Sequence, residues 1–170
     1  DFVGEVTGTV AMVPEVSAPI WPVILCSLFA IGALAVLIHI AISIVGIRRM
    51  ISSGSREILE SGETLIITET DTAPFSWMKY IVISREDYES GYSQILTHEK
   101  AHIALRHSWD ILFVDMITIL QWFNPAIWML KADLRALHEF EADDAVLRSG
   151  ADIKEYQYLL IRKAVSKSGY

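Results

Sequence analysis

No Asp, Glu, Lys or Arg occurs between Val16 and Ile47, and that absence constrains the chain more than any other feature. The densest part, Val23–Ile47, reads VILCSLFAIGALAVLIHIAISIVGI. As one helix at 1.5 Å per residue it is roughly 37 Å long, enough to cross a hydrocarbon core of ~30 Å with tilt. A backbone in lipid must satisfy its own hydrogen bonds, so the run reads as one transmembrane helix over 21–47 rather than the core helix of a soluble protein. Pro19 and Pro22 suit the helix entrance, and Trp21 suits the interface. Asp1, Glu5 and Glu15 precede the run with no basic residue, whereas Arg48, Arg49 and Arg56 follow it. The positive-inside bias therefore predicts an extracytoplasmic flank over 1–20 and a cytoplasmic position from residue 48 onward. His39, inside the span, reads as a packing histidine bonded to a neighbouring carbonyl more readily than as an intramembrane functional site.

A length of 170 residues suits one domain with an appendage. Apolar residues make up 52% and the mean hydropathy is +0.37, which excludes a disordered chain and is high for a wholly soluble one. A net charge of −7 lacks the basic footprint that phosphate backbones require, so direct nucleic-acid binding is not expected. The single cysteine, Cys26, lies in the apolar run and reads as a buried, inert thiol. The chain begins at Asp1 without a leader pattern, and reads as a piece of a longer protein.

Beyond the apolar run, 48–62 reads as a polar cytoplasmic linker, with a short helix as the alternative over 51–62. A folded domain is expected over 63–170. In it Thr64–Thr70 and Trp77–Ser84 are rich in β-branched and aromatic residues and flank the turn-forming Asp71–Ser76, which predicts a two-stranded hairpin. Ser84 with Asp87 is a capping pattern for a short helical turn. Ser93 then caps a helix expected to reach about Trp109. The run 111–130 is apolar apart from Asp115, Gln121 and Asn124, and Asn124-Pro125 interrupts it after 13 residues. A buried or membrane-surface helix and a true crossing stand as equal alternatives for it. Pro125 opens a helix to about Arg148, and Asp152 with Glu155 opens a final one.

The chemistry lies in His98-Glu99-Lys100-Ala101-His102. Residues four apart share a helix face, so two imidazoles could bind one Zn²⁺ at ~2.0–2.1 Å while the adjacent Glu99 reaches a water on the metal. The bland alternative is a solvated helix with incidental histidines. A catalytic zinc needs a third protein ligand, and His107, Asp110, Asp115, His138, Glu139, Glu141, Asp143 and Asp144 are the candidates. His107, about 140° around a continuous helix from His102, is poorly placed, and a metzincin-type histidine would fall at 108, which is Ser. The cluster at 138–144 is the better source. Glu139 and Asp143 share a face, so that one ligates while the other steadies a histidine, whereas Glu141 points elsewhere and reads as surface charge.

Taken together, Thr97-HEKAHI, His107-Ser-Trp-Asp110, Trp122-Phe-Asn-Pro125 and His138-EFEADDAVL resemble the membrane-embedded zinc peptidases of the BlaR/MecR type over roughly 60–165. These are bacterial antirepressor signal transducers within the gluzincin clan, which shares HExxH followed by E-x-x-x-D. The resemblance implies His98, His102 and Glu139 as zinc ligands, Glu99 as the base and Asp143 as the group behind a ligand. It also implies that Pro74–Ile83 forms the strand along which a peptide lies. The expected fold is mainly α with a small hairpin or sheet (α+β), a transmembrane helix leading into a gluzincin-like metallopeptidase domain over 63–170. The expected setting is the bacterial inner membrane, with the protease domain in the cytoplasm. The expected partners are membrane lipid and a protein substrate, either the chain itself or a cytoplasmic transcriptional repressor. Two other readings are a transducer whose site is structural or inactive, and a membrane interaction module in which HExxH is accidental.

Overall fold

The computed structural model describes residues 19–90, 92–151, 154, 156 and 161. A helix α1 (Trp21–Ser53) leads into strands β1 (Ser55–Ile58), β2 (Thr64–Thr68), β3 (Phe75–Trp77) and β4 (Tyr80–Ser84). Helices α2 (Arg85–Glu89), α3 (Ser93–Ala104), α4 (His107–Leu120) and α5 (Pro125–Arg148) follow. The mainly helical α+β expectation holds. Among the described residues α1 alone is long and apolar enough to cross a membrane. Cys26, expected to be buried, is exposed on its surface, and His39 is exposed as well. The flank before residue 19 lies outside the described residues, as does the final helix apart from Lys154, Tyr156 and Ile161, each of which is helical.

Residues 48–62 are not a linker. α1 continues six residues past Ile47 because Ile51 is buried against Ile66 and Val82 of the sheet, flanked by Ile47 and Met50. Apolar burial there outweighs the weak local helix signal. The chain then turns at Gly54 straight into β1, which pairs antiparallel with β2 in the register Ser55↔Ile67. A Cβ on Gly54 would lie 2.5 Å from Ile66 Cγ2 and 2.8 Å from the Ile67 carbonyl oxygen. Gly54→Ala is therefore expected to cost about 1–3 kcal/mol by overpacking this junction. A lowered thermal unfolding midpoint would register it, and an unchanged midpoint would refute so close an approach.

The predicted hairpin is also corrected. β2 and β4 are parallel neighbours (Thr64↔Tyr80 to Thr68↔Ser84), and the sheet order is β1-β2-β4-β3. The hairpin partner of β4 is β3, through a two-residue turn in which Met78 takes φ 55°. The physical reason is burial on both faces. Leu65, Ile67, Ile81 and Ile83 pack on Ile95 of α3, while Ile66 and Val82 face α1. Unbroken LII and IVI runs suit central strands covered on both sides; a half-exposed hairpin would alternate.

Ser84 accepts from the Asp87 N–H at 3.1 Å and caps α2, as its spacing predicts. The helix from Ser93 stops at Ala104 rather than near Trp109. Arg106 adopts a left-handed φ of 61°, and α4 restarts at His107 in a new direction. α5 opens at Pro125, with the Asn124 side chain accepting from the Ala126 N–H at 3.0 Å.

Candidate metal centre

α3 and α5 pack against one another and each carries part of the centre. His98 and His102 are one turn apart on α3, with their Nε2 atoms 3.2 Å apart. From α5, Glu139 Oε2 reaches 3.4 Å from His98 Nε2. One donor atom from each of the three lies within 4.8 Å of the others, the one such group among the described residues. Ligands bonded at ~2.0–2.1 Å to one tetrahedral ion stand about 3.3 Å from each other. The two separations, 3.2 and 3.4 Å, thus fit a metal with two imidazoles and a carboxylate. The accidental-motif reading required these groups to be scattered, and they are not.

Electrostatics favour the ligating forms of His102 and Glu139. Burial, and then the neighbouring His98, push the His102 pKa down to about 4, so at neutral pH one of its ring nitrogens keeps a lone pair for a metal. Burial also works against the charged form of His98, but the hydrogen bond to Glu139 and the Glu99, Glu139 and Asp143 charges outweigh it and raise its pKa. The bond to His98 holds the Glu139 carboxyl below the ordinary range.

Behind the two histidines stand hydrogen-bonded chains. Asp143 Oδ1 lies 3.1 Å from His98 Nδ1 and also accepts from the Tyr156 hydroxyl at 2.7 Å. Burial, then the bond to Asp143, raise the Tyr156 pKa, so it remains a protonated donor. Behind His102, its Nδ1 is 2.7 Å from His107 Nδ1, and His107 Nε2 is 3.0 Å from Glu141 Oε2. If His102 is to present Nε2, its proton sits on Nδ1 and is donated to His107; His107 then carries its own proton on Nε2 and donates to Glu141. His138 stacks on His107, with centroids 3.8 Å apart at 9°, and its Nε2 lies 3.3 Å from Asp110 Oδ2.

Two expectations change here. His107 lies against His102 because the α3–α4 break at Arg106 cancels the rotation that a continuous helix would impose. Glu141 is not idle surface charge, since it accepts from His107. Of the remaining candidates, Asp115 pairs with Lys131 and Asp144 with Arg148, so neither joins the centre. Tyr156 is an addition to the sequence reading: it follows Lys154 and Glu155, and no spacing there marks its hydroxyl for the site.

Glu99 is buried and lines a cleft of about 1000 Å³ with His98, His102 and Glu139. Phe75, Ser76 and Trp77 of β3 line it as well. Since β4 is flanked on both sides, the strand edge presented to this cleft within Pro74–Ile83 is that of β3.

A family model described as BlaR1 peptidase M56 matches residues 7–170. No curated protein matches the chain.

Proposed function

The chain belongs to the BlaR1 peptidase M56 family, and from that premise we propose a zinc-dependent endopeptidase anchored in the bacterial cytoplasmic membrane by α1. The observation that carries this reading is the convergence of His98, His102 and Glu139 within 4.8 Å, all three lining a cleft of about 1000 Å³. In this reading these three residues hold the ion and Asp143 steadies His98. Zinc bound there supplies Lewis acidity, polarising a water and the scissile carbonyl. Glu99 is the general base. Its carboxylate takes the proton of the attacking water and passes it to the leaving amine.

The substrate lies extended along the outer edge of β3 and is held by main-chain hydrogen bonds, with Phe75 and Trp77 meeting its side chains. Arg48 and Arg49 at the end of α1 support a cytoplasmic position for sheet and cleft. By the family reading, the substrate is the chain itself or a cytoplasmic transcriptional repressor, cleaved in a signalling pathway.

The direct test is metal analysis of the detergent-purified protein beside a chelator-treated sample. One zinc per chain is expected, with peptide cleavage lost on chelation and restored by zinc. Cleavage indifferent to chelation would refute the reading. Glu139→Ala is expected to weaken zinc binding more than Asp143→Ala, which should lose roughly 10–100-fold as a residue behind a ligand. Competition against a chromogenic chelator measures both, and the reverse order would exchange their roles.

A further inference from the structure

We propose that the α4–α5 hairpin is a re-entrant wedge sunk into the bilayer that α1 crosses, its outer face in contact with lipid chains. This goes beyond the peptidase reading but rests on α1 being a membrane span.

The wedge tip meets α1 inside its apolar run. Trp122 Nε1 donates to the Phe29 carbonyl at 3.2 Å, and the Phe123 ring packs edge-on to Phe29 with centroids 6.2 Å apart. Gly32 makes room for this contact, because a Cβ there would lie 2.2 Å from the Trp122 ring. Phe29 is eight residues past Trp21, about 12 Å along the helix axis and far from either end of the run. A hairpin docked at that depth is surrounded by whatever surrounds α1.

Its surface matches that medium. Trp109, Phe113, Met116 and Leu120 recur every three or four residues along one face of α4. Each of them, with Phe123 at the tip and Met129 on α5, is 61–67% exposed. A water-facing surface rarely carries so continuous an apolar patch. Asp115 is the one charged residue from 111 to 130. It pairs with Lys131 across the two helices, and both side chains are largely shielded, at 14% and 16% exposure. Charges in hydrocarbon require such pairing.

The reversal is bonded within the protein as well. The Asn124 side chain accepts from the Ala126 N–H and donates to Gln121 Oε1, each at 3.0 Å, while Trp128 Nε1 donates to the Trp122 carbonyl at 3.0 Å. Lipid offers no partner to a loop, so one that enters it must bond to itself. With 14 residues, α4 is about 21 Å long, too short for a ~30 Å core, and Asn124-Pro125 turns the chain back. The hairpin therefore enters and leaves on one side. Ser108 and Ile111 in the first turns of α4 line the cleft, so the wedge seats the peptidase centre at the bilayer surface.

Spin labelling tests the wedge in the whole chain, in a Cys26→Ser background reconstituted into phosphatidylcholine–phosphatidylglycerol vesicles. Single cysteines replace Phe113, Met116, Leu120 or Met129 at exposed sites; Leu34 on α1 and Glu60 in the β1–β2 turn are references. The hairpin labels are expected to show the high oxygen and low nickel-reagent access of Leu34, with loss of the nickel access seen at Glu60. Nickel access at the hairpin while Leu34 is lipid-like overturns the wedge and leaves α1 as a span. Nickel access at Leu34 overturns the span and the wedge together. Low access to both reagents at the hairpin means that another helix or a second copy covers it, which also overturns lipid contact.

Discussion

Glu99→Gln is expected to lower peptide hydrolysis about 10²–10⁴-fold, the range that a positioned general base supplies, while leaving bound zinc at one per chain. Glutamine matches glutamate in size and can still hydrogen-bond, but it cannot take a proton from water. The substitution therefore separates the base from its surroundings. Glu99 is 5% exposed and sits between the two histidines of α3 in sequence, so a truncation such as Glu99→Ala would also open a hole beside them. Glutamine avoids that ambiguity. Turnover of a peptide substrate and metal content, measured on the same preparation, check the prediction. A rate near that of the unsubstituted protein would assign the proton transfer elsewhere. Loss of metal with the loss of rate would instead make Glu99 a structural support of the centre.

The parts of this molecule that could be read from its sequence are those governed by short-range periodicity. His98 and His102 meet because both lie inside one unbroken helix, where a spacing of four fixes a shared face. Glu139 and Asp143 repeat that logic on α5. The start of α1 at Trp21 and the Ser84 cap are likewise local. What the sequence does not disclose depends on where local order stops. The spacing rule that displaced His107 holds only while a helix continues, and α3 ends at Ala104, three residues before His107, with Arg106 left-handed between them. A non-glycine residue in that region costs of order 1–3 kcal/mol, and nothing in Leu105-Arg106-His107 announces it. Placing Glu141 required knowing where His107 lay, so one broken helix hid both residues. The parallel pairing of β2 with β4 is a tertiary choice, although unbroken apolar runs in both strands are the signal that favours it over an exposed hairpin. Tyr156 carries no pattern at all, and only the fold brings its hydroxyl to Asp143.

The chain of groups behind His102 should be visible as a graded loss of metal. His102→Ala removes a donor and leaves two, which is expected to abolish stoichiometric zinc and all detectable hydrolysis. His107→Leu keeps all three donors but takes away the acceptor of the His102 Nδ1 proton, now 2.7 Å away. The His102 ring then loses the bond that sets its tautomer and orientation, and zinc affinity is expected to fall about 10–100-fold. Glu141→Gln should cost less, because the amide oxygen still accepts from His107 Nε2 while only the negative charge is lost. Glu141→Leu removes that acceptor outright and should approach the His107→Leu value. Zinc competition titrations across the four variants read this order directly. Were His107→Leu to bind zinc as tightly as the unsubstituted protein, the contact between the two imidazoles would be packing alone. His102 would then owe its orientation to α3 and the buried surroundings of its own ring.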